Sequence, residues 1–235
     1  METIITTQQG AVQGALSQDQ QTVIFRGVPY AQPPVGALRF RRPQEHAPWE
    51  GVRDCTAFGP RCPQADLASM DFYGKEFYRG LPDNESEDCL YLNVYTPART
   101  GEEKLPVLMY IHGGGFASGS GTTVLGADGL VREQDIVLVG INHRLNAFGF
   151  LYLGEIDKDF RESGTAGMTD LVLALKWVHK NIGFFGGNPE NVIVMGESGG
   201  GIKIATLLAM PETASLIKGA VMESAFGKPG RYTTH

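Results

Sequence analysis

Apolar residues fall in short runs separated by turn signals, and the character of those runs changes near residue 90. Before it the runs are brief and alternate with polar positions. Thr3–Thr7 and Gly10–Leu16 read as a small hairpin. Val23–Tyr30 reads as a further strand, ended by Gln32-Pro33-Pro34, where proline removes a ladder donor. Residues 59–87 are rich in Pro, Gly, Asp and Ser, show no period, and read as a long surface segment.

Beyond residue 90 the runs become continuous. Leu90–Tyr95 is a strand candidate, and Leu105–Ile111 is apolar throughout, as a strand buried on both faces requires. Ile136–Ile141 and Asn191–Met195 repeat that character, and a weaker run extends from Ile217 to Val221 and Met222. Helical spacing appears in Met168–Asn181, where Leu171, Leu175 and Val178 recur with Val172 and Ala174. Asp170 lies in its first turn, and Gly183 with Gly186-Gly187 closes it. A second helix, Gly200–Ala209, stops before Pro211. Strands alternating with helices predict βαβ units and a parallel sheet. No repeat or linker divides the 235 residues, so one domain is expected.

Composition narrows the partners. The net charge of −6 disfavours nucleic acid and anionic membrane, since neither surface attracts an acidic protein. Met1-Glu2-Thr3-Ile4-Ile5 carries no basic-then-apolar signal, and no run reaches the ~20 apolar residues of a membrane span. A soluble protein is expected, cytoplasmic or secreted with its export signal removed. Three cysteines, Cys55, Cys62 and Cys89, exclude a disulfide-dense scaffold. No Cys/His/Asp cluster has zinc spacing, so neither metal nor cofactor is implied. The 31 glycines are roughly twice average usage and gather at Gly113–Gly115, Gly186–Gly187 and Gly199–Gly201, between apolar runs, as specific turns would.

Two of those clusters carry chemistry. Gly196-Glu197-Ser198-Gly199-Gly200 follows the Val192–Met195 strand and opens a helix. The G-x-S-x-G pattern in that setting fits a nucleophile elbow, a strained turn that lifts a serine hydroxyl clear of the sheet. The bland alternative is a glycine-rich turn that binds nothing or binds phosphate, and no Gly-Lys-Ser/Thr pattern supports the phosphate version. His112-Gly113-Gly114-Gly115-Phe116 follows the Leu105–Ile111 strand and matches the loop that supplies oxyanion-hole N–H groups. His112 reads as a loop anchor, because the base follows the serine in the α/β-hydrolase order. His143, His179 and His235 read as surface or core histidines. In that order the acid and base both lie after the serine, and 37 residues follow Ser198.

With these residues in place the chain resembles the type B carboxylesterases, a family that includes the cholinesterases, and among them the bacterial para-nitrobenzyl esterases look closest. The resemblance runs through Phe25-Arg26-Gly27-Val28-Pro29-Tyr30-Ala31, Pro33–Gly36 with Leu38-Arg39-Phe40, and Ser86–Val94. It continues through the His112–Phe116 loop, Asn142–Leu145, Phe148–Phe150, Ala174–Val178, Phe185–Pro189 and Gly196-Glu197-Ser198. The family implies an α/β-hydrolase fold: a mostly parallel central sheet with helices on both faces and a small N-terminal antiparallel hairpin. Members run roughly twice this length, so residues 1–235 are expected to form a partial domain.

The resemblance further implies hydrolysis of a small-molecule carboxylic ester by a Ser-His-Glu triad through an acyl-enzyme. Ser198 would be the nucleophile. Gly114, Gly115 and Gly199 would offer oxyanion N–H groups. Glu197 would add electrostatic influence beside the serine, and Ser224 would support the catalytic histidine. The acid and histidine would come from a complementary C-terminal polypeptide, and the fragment alone would be inactive. Two readings compete: a non-catalytic cholinesterase-like binding protein, and an inert fragment. Arg39 with Glu87 and Arg144 with Asp170 resemble family ion pairs. Cys62 and Cys89 match positions bridged in secreted relatives, with reduced neighbours as the alternative in a chain without a signal peptide, and Cys55 reads as a buried thiol. Two departures stand out. Gly199 occupies a position where the family usually has alanine, and Lys203 lies on a helix that the family buries, where it must reach water or find a partner; it is expected to snorkel, with a functional placement near the site as the alternative.

Overall fold

The computed structural model describes residues 2–65, 84–97, 102–124 and 126–225. Along them run β1 (Ile4–Thr6), β2 (Ala11–Gln13), β3 (Ala15–Leu16), β4 (Thr22–Pro29), β5 (Val52–Asp54) and β6 (Tyr91–Pro97). They are followed by β7 (Leu105–Ile111), helix α1 (Asp128–Gln134), β8 (Val137–Ile141) and helices α2 (Asn146–Phe150) and α3 (Ala166–Asn181). The last elements are β9 (Gly187–Glu197), helix α4 (Gly199–Leu208) and β10 (Gly219–Glu223). Much of the unperiodic 59–87 segment, and His235, lie outside the described residues.

The larger sheet has the order β10-β9-β7-β8-β6-β4-β3. From β10 to β8 the pairs are parallel, and from β8 to β3 they are antiparallel. The continuous apolar runs include the parallel strands β7, β8 and β9, and also β6, which is antiparallel to both its neighbours and buried along nearly its whole length. β8 is buried at all five positions, as a strand covered on both faces must be. On one face Val94, Met109, Ile111, Val139 and Val194 pack with Leu171, Leu175 and Val178 of α3 and Ile204 and Leu207 of α4. On the other, Ile24, Tyr95 and Leu138 pack with Val131 of α1. Helices therefore cover both faces.

The N-terminal hairpin differs from the expected one. β1 pairs with β2, Ile4 opposite Gln13, but Ala15 and Leu16 leave it and join the large sheet beside β4. Gly14 makes the crossing: a Cβ there would lie 2.8 Å from the Ile24 carbonyl and the Phe25 ring. The small sheet is completed by β5, parallel to β2. Its three residues, Val-Arg-Asp, carry no apolar period that sequence could reveal. α1 is invisible for the same reason, since Val131 is its one buried residue.

The loop after β8 is pinned to α3 by an ion pair. The Asp170 carboxylate accepts from Arg144 N (3.0 Å), Nε (2.9 Å) and Nη2 (2.6 Å). Both side chains are almost fully buried. The Arg39–Glu87 pair is also bidentate, at 2.5 and 2.8 Å, but part-exposed. Cys55, Cys62 and Cys89 are free thiols and all buried. Cys62 and Cys89 are thus reduced neighbours; the Cys62 Sγ accepts from Leu145 N at 3.2 Å. Burial pushes the Cys55 thiol up to about 12.

Asp170→Ala would leave the Arg144 guanidinium buried without its counter-charge. We expect it to lower unfolding free energy by about 3–5 kcal/mol in urea titrations. Replacing both partners by apolar residues should cost clearly less, and equal losses in the two variants would refute the assignment of the cost to an orphaned charge.

Candidate active site

Ser198 is the N-cap of α4, with φ 53° and ψ −119°. That left-handed conformation is costly for a side-chain-bearing residue and persists only where its surroundings enforce it. Three contacts do so. The Ser198 N–H donates to the Glu223 carbonyl of β10 at 2.8 Å, and its own carbonyl accepts from Ile202 N at 3.1 Å. Behind it Gly196 is pressed between the Ile111 carbonyl of β7 and the backbone of Gly200. The Ser198 side chain is half-buried at the C-terminal edge of the sheet, over the N-terminus of α4, where free N–H groups favour negative charge.

The 112–116 loop lies against this turn. A Cβ on Gly113 would sit 3.0 Å from Glu197 Oε2 and 3.7 Å from Ser198 Cβ, so the loop begins beside the elbow. Gly114 turns it with φ +78°, and its carbonyl accepts from the N–H groups of Ala117 and Ser118. Gly115, at φ +63°, has open space on its Cβ side, but its own backbone lies on Gly199: a Cβ on Gly199 would be 2.4–2.5 Å from Gly115 O, Cα and N. On Gly200 it would be 2.1 Å from the Ile111 carbonyl. The departure at Gly199 therefore has a geometric consequence, because the loop occupies space that an alanine side chain would need.

The structure brings Ser198, Gly114, Gly115, Gly199 and Glu197 to one place, and sets Ser224 one residue beyond β10, exposed and at φ +51°. Glu197 is exposed and lines a cavity of about 250 Å³ with His112, Gly113, Gly114 and Glu223. Glu223 was not foreseen; it faces Glu197 in register across the β9–β10 pair. Among the described residues no hydrogen bond joins a histidine to Ser198. His112 is buried, its Nδ1 3.0 Å from the Gly113 carbonyl, and its ring stacks on that of His143 at 4.8 Å. Burial and the nearby Lys203 lower His112 to about 3, and the same causes push His143 down. Both rings are neutral near pH 7. His179 is half-buried on α3, its Nδ1 3.2 Å from the Pro189 carbonyl.

Two holders of the loop escaped sequence reasoning. The Gln64 side-chain amide brackets Gly119, accepting from its N–H at 2.7 Å and donating to its carbonyl at 2.9 Å. Asn142 Oδ1 accepts from Gly121 N at 2.7 Å and from Ser120 Oγ at 3.1 Å. Partners 55 and 21 residues away leave no local trace in the chain.

Lys203 corrects an expectation. It does not snorkel; it is wholly buried, and its Nζ donates to the His112 carbonyl at 3.3 Å. Helix α4 runs into the core here, between Gly201 and Ile204, so the stem has no route to water. Desolvation lowers its pKa from 10.5 to about 7.

The sequence matches the Carboxylesterase family over residues 1–229. It is 45% identical over 224 residues to the para-nitrobenzyl esterase of Bacillus subtilis (strain 168), covering 94% of this chain and 43% of that protein. It is 40% identical over 227 residues to the human cocaine esterase, covering 94% and 40%. Among solved structures, a thermophilic para-nitrobenzyl esterase superposes with a TM-score of 0.86 at 41% identity, covering 96% of this chain and 44% of that one. A carboxylesterase from Geobacillus stearothermophilus gives 0.83 at 37%, covering 94% and 43%. The chain spans about two fifths of the length of the curated relatives it matches.

Two outcomes follow from this geometry. Gly200→Ala drives a methyl into strand backbone and should destabilise by about 3 kcal/mol or more, whereas Gly115→Ala carries only the roughly 1–2 kcal/mol of a left-handed residue. Similar urea midpoints for the two would contradict the close backbone contact. For Lys203 the folded pKa lies below the unfolded one, so the unfolded chain holds more protons between about pH 7 and 10.5. Stability should rise with pH across that window. Lys203→Met should remove the slope and stabilise by a few kcal/mol below pH 7, a gain that shrinks toward pH 10. A wild-type stability that stays flat from pH 6.5 to 9.5 would overturn this.

Proposed function

The chain belongs to the carboxylesterase family and has the α/β-hydrolase fold, and on that premise we propose that it is the N-terminal part of a single-domain carboxylic ester hydrolase. Ser198 is the nucleophile. Its Oγ forms a bond to the ester carbonyl carbon, the carbonyl oxygen becomes an oxyanion, and the C–O bond to the leaving alcohol breaks to give an acyl-enzyme. Water then attacks the acyl carbon, and the acid departs from Ser198. The N–H groups of Gly114, Gly115 and Gly199 receive the oxyanion in each step; such preorganised donors contribute on the order of 3 kcal/mol apiece. Glu197 biases the field beside the serine.

The observation that carries this reading is the elbow itself. A serine at φ 53°, on a strand-to-helix turn with a glycine loop against its helix, has no evident purpose in packing. The small-molecule carboxylic ester as substrate rests on the esterases to which the chain is similar.

The histidine base and its acid belong to a complementary C-terminal polypeptide of the same enzyme, without which the chain is inactive, and Ser224 of this chain supports that histidine. The surface next to β10 fits such a partner. Val221, Met222, Ile202 and Leu208 expose 38–46% of their surface along the edge strand and α4, and the chain matches 43% of the length of the Bacillus subtilis relative. The reading involves neither nucleic acid nor membrane, and no helix among the described residues is long and apolar enough to cross one.

Labelling with an organophosphonate ester probe tests this. Ser198 should be labelled when the complementary C-terminal polypeptide is present and not when it is absent, and Ser198→Ala should abolish the signal. No label in either state, with folding confirmed by circular dichroism, would sink the assignment.

A further inference from the structure

Lys203 is the one lysine in the buried interior of the described residues. Its ammonium donates to the His112 carbonyl, at the start of the 112–116 loop, at 3.3 Å. It also lies 5.6 Å from the centroid of the Phe116 ring, at the end of the same loop. A single side chain rooted in α4, five residues after Ser198, thus touches both ends of the loop that lies on Gly199. No carboxylate pairs with it among the described residues. The groups facing it are the His112 and His143 rings, stacked on each other, and beyond them Arg144, already held by Asp170. Glu197 borders the loop at Gly113. A position needed only for packing would carry an apolar side chain, since an unpaired buried ammonium is costly.

We propose that Lys203 is a positioning residue, which ties the Gly113–Phe116 loop to the helix that carries Ser198 and places a positive charge behind the loop's amides. This deepens the esterase reading and rests on it for its role in catalysis. The bond to the His112 carbonyl polarises the His112–Gly113 peptide, and the cation–π contact holds the Phe116 end. Both contacts weaken when the amine loses its proton. In a water-poor setting the ammonium also favours negative charge on the far side of the loop. The oxyanion donors would then be best ordered below about pH 7, where Lys203 is charged.

Hydrogen exchange of the loop amides, with intrinsic pH dependence removed, reads this without requiring activity. At pH 6, Lys203→Met should speed exchange of Gly113–Phe116 about tenfold, the effect of losing one charge-assisted bond, while amides of β7 and β8 exchange no faster. In the wild type, loop protection should fall as pH rises through about 7, and the variant should show no such step. Phe116→Leu should loosen the loop less and leave the step in place. Loop exchange within twofold of wild type in Lys203→Met overturns the tether. Should that variant not fold, the absence of the wild-type step overturns it alone. Phosphonate labelling separates the two readings. A loop that responds, with Ser198 never labelled, defeats the esterase reading and leaves the tether. Labelling of wild type and Lys203→Met at equal rates, with an unresponsive loop, defeats the tether alone.

Discussion

The site depends on a contact between two backbones. The end of β7 and the first turn of α4 approach so closely that no Cβ fits between them, with Gly200 against the Ile111 carbonyl and Gly199 against Gly115. Glycine at 196, 199 and 200 is what permits this, and the strained turn at Ser198 follows from it. Once α4 is seated on β7, the chain leaving β9 has only a sharp left-handed residue with which to enter the helix. The Ser198 N–H bond to Glu223 then fastens the turn to the neighbouring parallel strand.

Around that contact the protein carries charges that stability alone would not select. Arg144 and Asp170 pair deep in the core and fix the loop after β8. Lys203, with the neutral rings of His112 and His143, forms a buried polar layer under the glycine loop. Such a layer weakens the fold and orders the site, the exchange expected where function requires a fixed but costly arrangement. The apolar edge along β10 and α4 is a second cost, and its side chains lack cover from the described residues.

Much of this was legible in the chain. Continuous apolar runs located β7, β8 and β9, since strands buried on both faces must be apolar at every position. The boundaries of β7 agree to the residue, and α3 begins two residues before its periodic stripe because Ala166 and Gly167 continue the helix without lengthening it. The glycine clusters pointed to the elbow and the loop, and the structure sets both at one sheet edge. What stayed hidden had no local signature. β5 and α1 bury too little to leave a period, and the crossing at Gly14 is a contact with residues ten positions on. Gln64 and Asn142 act across long separations. Lys203 is buried where an exit to water is the first expectation, because sequence shows that a lysine is present but not whether its helix leaves it that exit.

On this reading the glycine loop and the elbow form one oxyanion-binding unit. A crystal structure of the protein phosphonylated at Ser198, with its complementary polypeptide, tests it most directly. The phosphonyl oxygen should lie about 2.7–3.1 Å from the amide nitrogens of Gly114, Gly115 and Gly199. A phosphonyl oxygen turned toward solvent, or held by side chains away from the loop, would contradict it.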